Sequence, residues 1–379
     1  ATSASTSAPA ASDPAAAEGG TTDTTSSSST DGSTDTTASG DGSTAQEPNV
    51  IAAATALTSS ASAITAVPAV PSTRYLYLDG GNLDLSGAGE SFAGQNLIIE
   101  SCSSACADPT LGSITIGALS GLNSLQILAS NPVAVSNRVQ VSQQLLFRGD
   151  LQLAGRDVVL IADQLEIGGR IGVSDGLSTA GIIPNLYISS NDNSRAIELG
   201  GSGNSAALSL SGSTLQALSA ATVAQLTIGS AEHSGGIRVI GEVSSHGPLQ
   251  LITQGAVDQS GSLRVDAAGG KGGSLKIQGG DIKLAGPISV SGNEGGEIRV
   301  AAAGDLWISG DLNASGLSGR GGTIDLQASG ALLEVDAALL DASSRDGEGG
   351  EIALSSNGQA VLGAGSRLDA SGGDAGGRV

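Results

Sequence analysis

The chain has 379 residues, with 37 acidic against 16 basic side chains and a formal net charge of −21. That balance opposes binding to nucleic acid or to an anionic membrane surface, so partners are expected to be neutral, cationic or bridged by cations. Aromatic residues make up only 2%, Met is absent and Gly numbers 58, which excludes an ordinary layered core rich in Leu, Phe, Met and Trp and predicts a narrow, repetitive one.

Residues 1–72 are dominated by Ser, Thr, Ala, Gly and Asp, with no Lys or Arg before Arg74. Such a segment buries too little apolar surface to offset the entropy of ordering, and reads as a disordered acidic linker or stalk. Its Ser/Thr richness also suits O-glycosylation. The apolar stretch from Val50 to Val70 is broken by Thr, Ser and Pro68 and is not read as a membrane span. With no initiator Met, the sequence is expected to begin after processing or at a cut.

From Arg74 the texture changes, and Tyr75, Tyr77, Leu83 and Leu85 begin a period-two alternation typical of half-buried strands. Cys102 and Cys106, in Cys-Ser-Ser-Ala-Cys, lack the His and Cys neighbours of a zinc site and read as a local disulfide of an oxidising compartment. Apolar pairs two apart then follow at Ile114/Ile116, Leu125/Ile127, Val133/Val135, Val139/Val141, Leu145/Phe147, Leu151/Leu153 and Leu165/Ile167. No amphipathic helix is predicted to interrupt them. Residues 73–234 are thus expected to form strands in irregular coils.

Residues 235–379 carry the clearest signal, a Gly-Gly-x-apolar step at Gly272-Gly273, Gly295-Gly296, Gly321-Gly322, Gly349-Gly350 and Gly376-Gly377. Successive steps lie 23, 26, 28 and 27 residues apart, and each interval holds three apolar pairs, such as Ile298/Val300, Leu306/Ile308 and Leu312/Ala314. Three short strands per repeat, divided by Gly, Ser, Asn and Asp turns, describe a three-sided β-solenoid, a parallel β-helix. The crossover preference of parallel strands makes it right-handed. Paired glycines at the corner are expected to supply positive φ without Cβ strain. About 300 residues at roughly 25 per coil give about twelve coils and a rod on the order of 60 Å. Because Gly376-Gly377-Arg378-Val379 opens a further coil, a fragment truncated at its C-terminus is expected.

The third strand and corner read Leu-Arg-Val-Asp-Ala-Ala-Gly-Gly-Lys-Gly-Gly at 263–273, with close variants at 312–322 and 368–377. This resembles the repeat region of filamentous-haemagglutinin-like exoproteins of bacterial two-partner secretion. The resemblance implies a secreted or outer-surface location, an outer-membrane secretion transporter as partner, and a role in adhesion, aggregation or biofilm. The family's Asn-Pro-Asn type secretion motif is matched only by Asn131-Pro132-Val133, which puts direct engagement of that transporter in doubt. Autotransporter passengers share the architecture.

No cofactor is expected, and no enzymatic centre. His233 and His246, the only histidines, have no Cys, Ser or second His at motif spacing and read as turn residues. The Gly-Gly segments lack the Asp of a calcium-binding nonapeptide. Alternation places Ser289, Asn313, Asp341 and Asp369 in one outward column, where paired carboxylates suit weak cation binding or, less readily, acid catalysis. Arg299 and Asp325 are expected to pair across coils. Trp307, between inward Leu306 and Ile308, should face outward as a surface for a sugar or a partner. Trp307, Asp341 and Asp369 are therefore the candidate surface contacts. The expected function is a secreted adhesin segment that contacts a host, surface or polysaccharide ligand. A self-associating filament and a carbohydrate-active β-helix enzyme are the alternatives.

Overall fold

The computed structural model describes residues 70–78, 82–86, 91–101, 112–201, 206–267 and 270–379. The expected disordered segment, up to residue 69, and the expected Cys102–Cys106 disulfide lie outside the described residues.

Where apolar residues stand two apart, the chain forms short strands with one face buried. Every strand pairing among the described residues is parallel, as between Ser274–Gly279 and Glu297–Ala302, and between Glu297–Ala302 and Thr323–Ala328. A strand therefore meets its partner only after a full turn of chain. From Val243 onward each turn gives one strand to each of three sheets, of ten, eight and six strands in all. The ten-stranded sheet begins far upstream at Leu119–Leu122 and runs without a break to Glu351–Ser356. Alongside its first members lie two five-stranded sheets. This is a stacked parallel solenoid, as the alternation predicts.

The core is the column of inward side chains. Ile298, Val300, Leu306, Ile308, Leu312 and Ala314 are all buried, while Arg299, Trp307 and Asn313 between them are not. Each stacks on its equivalent one coil away, as Ile277 on Val300 and Val300 on Leu326. Each such Leu or Ile contributes about 1.5–3 kcal/mol by leaving water. The upstream apolar pairs from Ile114 to Ile167 are buried in the same manner. Tyr75 and Tyr77 correct the expected phase. They point outward, 54% and 62% exposed, with Leu78 buried, so this strand turns its aliphatic residues inward and its aromatics out.

The paired glycines correct a second expectation. None of the five pairs has positive φ; at every one of these glycines except Gly376 an added Cβ would collide with other backbone atoms. A Cβ on Gly350 would stand 2.7 Å from Ala342 O and Gly321 C, and closer still to Gly322 O. Gly322 and Gly377 face the coil before them in the same way. The corner is a stack of bare peptide groups.

Two helices interrupt the strands where none was expected, α1 at Asp175–Thr179 and α2 at Gly212–Ser219. In α2, Ser211 caps the N-terminus by accepting from the Thr214 amide, and Thr214, Leu215 and Leu218 form its buried side. Thr214 Oγ1 accepts from the Ile167 amide at 3.2 Å. Gln164–Ile167 is the last strand of its five-stranded sheet, so a helix side chain satisfies a ladder donor that a further strand would otherwise take. No helix of the described residues is long and apolar enough to cross a membrane.

Candidate functional site

Register assigns the solvent-facing columns directly. Ser289, Asn313, Asp341 and Asp369 align on successive coils, as the alternation predicts. Their side chains are engaged in holding the next corner. Asn313 Oδ1 accepts from the Ser315 amide at 2.9 Å, Asp341 Oδ1 from the Ser343 amide at 2.9 Å, and Asp369 Oδ1 from the Ser371 amide at 3.0 Å. Asp369 Oδ2 also pairs with Arg367 at 2.7 Å. The Ser371 hydrogen bonds, with help from Arg367, hold the Asp369 carboxyl below the usual carboxylate value, which suits a fixed acceptor and not a proton donor. Asp84 and Ser86 repeat the motif at the other end of the stack. The column is a ladder of side-chain turns.

Arg299 and Asp325 are register partners, as expected, but the ion pair forms along the strand, from Arg299 to Glu297 at 2.7 Å, while Asp325 accepts from Gln327. Two residues apart on one strand, Arg299 and Glu297 share the outer face. Trp307 is partly exposed between buried Leu306 and Ile308, as read from the sequence. Asn131 of the Asn-Pro-Val motif is buried, and its Nδ2 donates to the Gly112 carbonyl at 3.0 Å. His246 Nδ1 bonds to the Ser219 carbonyl.

His233 is not a surface turn residue: it is fully buried, and neither ring nitrogen has a hydrogen-bond partner. Burial pulls its pKa below the ordinary value, with Asp192 acting the other way. It lies in one of two long connectors, 190–195 and 230–236, that leave the ten-stranded sheet on successive coils. The equivalent connector further along, 280–281, has two residues. Extra length at this corner builds a rim over the sheet.

Beneath that rim is a recess of about 570 Å³. Its floor is the outer face of three coils, with Val159 and Ile161 from one strand and Tyr187 and Ser189 from the next. Arg138 and Gln140 come from the strand before, and the connectors add Asn191 and Glu232. Polar bonds fix the walls. Arg138 donates from Nε and Nη2 to Gln140 Oε1, and Gln140 Nε2 donates to Asn191 Oδ1 at 2.9 Å. Asp163 anchors the first connector by accepting from the Asn191 and Asp192 amides at 3.1 Å and pairing with Arg195 at 3.3 Å. The Asn193 carbonyl accepts from the Ser234 and Gly235 amides, which ties the two connectors together. Ser189 Oγ, a lining atom's side chain, is buried without a partner.

An aromatic ring set among guanidinium, amide and carboxylate groups suits a hydroxyl-bearing ligand with one apolar face. None of these residues was singled out from the sequence. The one available signal was the lengthened spacing around 190–195 and 230–236, where the coil register loosens. No protein-family model matches the chain, and no curated protein matches it.

Proposed function

We propose that the chain is a segment of a secreted surface protein of the filamentous-haemagglutinin-like kind, a right-handed, three-sided β-helix that serves attachment and has no catalytic role. The observation that carries this reading is the unbroken ten-stranded parallel sheet. A chain built this way invests its residues in length and outer surface, and repeated weak contacts along such a surface add by multivalency. Delivery through an outer-membrane transporter rests on the repeat motifs alone. The recess at Tyr187 is the contact point best furnished to hold a ligand, and a surface glycan or other polyhydroxyl polymer fits its chemistry.

Beads coated with the purified chain should bind cells or polysaccharide-coated surfaces above the level of beads carrying a net-charge-matched unrelated protein. Tyr187→Ala should reduce that binding several-fold while leaving the circular dichroism spectrum unchanged. Binding no greater than the control would reject the adhesive role, and undiminished binding by Tyr187→Ala would move the contact away from the recess.

A further inference from the structure

The outward column of the eight-stranded sheet reads, coil by coil, Glu198, which is buried, and then Arg238, Asp258, Lys283, Trp307, Glu334 and Val361. Charge alternates along it until Trp307, the chain's only tryptophan, which stands between Lys283 on one coil and Glu334 on the next. All three strands are three- or four-residue segments that expose this one column between buried pairs: Ile282/Leu284, Leu306/Ile308 and Leu333/Val335. Successive residues of a column lie about 4.8 Å apart, so Lys283 and Glu334 are about 10 Å from each other across the indole.

Neither charge is spent internally. Among the described residues Glu198 pairs with Arg238 at 3.4 Å, but neither Lys283 nor Glu334 forms an ion pair. The neighbouring acids are turned away: Asp281 Oδ1 accepts from the Asp305 amide, and Asp305 Oδ1 from the Leu332 amide. On the other flank Ala285 and Ser309 are small and exposed, which leaves the indole free to approach a facing surface.

We propose that this face is a two-fold self-association surface centred on Trp307, and that its occupant is a second copy of the chain. The charge order selects one arrangement. If two copies met with their columns running the same way, Lys283 would face Lys283 and Glu334 would face Glu334, which like-charge repulsion disfavours. If the columns run in opposite directions, Trp307 faces Trp307, and Lys283 faces the partner's Glu334 twice over. The next position outward sets Asp258 against the partner's Val361, so within the column no like charge is opposed. The contact is isologous, closes on itself as a dimer, and joins two coil stacks side by side with their axes antiparallel. It is independent of whatever the Tyr187 recess holds.

Sedimentation velocity of the intact chain over a concentration series, with emission of the single tryptophan followed in parallel, tests this. A reversible monomer–dimer equilibrium weakened by salt is expected, with a blue shift of emission on association. Lys283→Glu and Glu334→Lys should each weaken dimerisation at least about tenfold, because each swap converts two attractive contacts to repulsive ones, and Trp307→Ala should do the same by removing the central aromatic contact. The double exchange Lys283→Glu with Glu334→Lys recreates both pairs in reversed sense and should restore association to within a few-fold of the original. Circular dichroism identifies any variant that has lost its fold, and the double exchange serves as the read-out in that case. A chain monomeric up to its solubility limit, a dimer indifferent to all of these changes, or single-swap losses that the double exchange fails to repair would each overturn the proposal.

Discussion

A buried imidazole with both nitrogens unpaired gives His233 a pH signature. Its pKa is depressed in the folded chain by burial, while the unfolded chain titrates near the free value of about 6.5. Above that pH both states are neutral and the residue confers no pH dependence. As pH falls through about 6.5, the unfolded state takes up a proton that the folded state refuses, so stability declines toward the folded pKa. Melting temperature should therefore drop between about pH 7.5 and 5.5, and His233→Leu should flatten that drop; parallel curves for the two proteins would show that the imidazole is not responsible. Asp84, Asp192 and Asp369 have lowered pKa values, so their contribution is present above the ordinary carboxylate value and lost only at lower pH, in a separate window. From the sequence His233 reads as a turn residue because a lone histidine between Glu232 and Ser234 carries no apolar pattern; its loop is tied to the distant 190–195 connector through Asn193, a contact that local sequence does not reveal.

Between coils, the glycine corners hold the elements in register. Alanine at Gly350 would thrust its Cβ against Gly322, Ala342 and Gly321 backbone atoms, with no flexible side chain to yield. A loss of about 1–3 kcal/mol is expected from such overpacking, read from the midpoint of urea unfolding. Gly376, where a Cβ would meet nothing within 4 Å, is the matched control and should tolerate alanine to within about 0.5 kcal/mol. Equal losses at both sites would reject close backbone approach as the reason for the glycines. The Gly-Gly step was legible as a marker of the corner, but its cause was not, because close approach of two backbones leaves no trace in one strand's sequence. The helix α2 is hidden in the sequence for a related reason. Its buried Leu215 and Leu218 fall in eight residues between strands, too few to reveal a helical period.

At the scale of the whole molecule, sixteen basic residues cannot balance thirty-seven acidic ones, and a stack with outward columns repeats charges at close intervals. Self-repulsion should make the fold salt-sensitive. Raising NaCl from about 0.01 to 0.5 M, which shortens the screening length from about 30 Å to a few ångströms, should raise the melting temperature; an unchanged value would mean that pairs such as Arg299–Glu297 and Lys271–Glu294 already neutralise the local field. Much of the architecture was open to reading, since every turn after Gly272 repeats one pattern of apolar pairs. The Ser289–Asn313–Asp341–Asp369 column followed from the same register. The recess did not, because Arg138, Tyr187 and Glu232 belong to different coils outside the regular Gly-Gly spacing, brought together by connectors of unequal length.

The direction of the inter-coil hydrogen bonds has a mechanical consequence. They run along the stacking axis, so when the chain ends are pulled the outermost turn is peeled first, a few hydrogen bonds at a time, while each inner interface shares the same load among all its strands. Each turn that peels away exchanges about 5 Å of stacked height for some 25 residues of extended chain, on the order of 85 Å. A tether made this way gives way in instalments, lengthening many times over before the last turn fails. Under the attachment role proposed above, such a tether would hold through brief surges of drag.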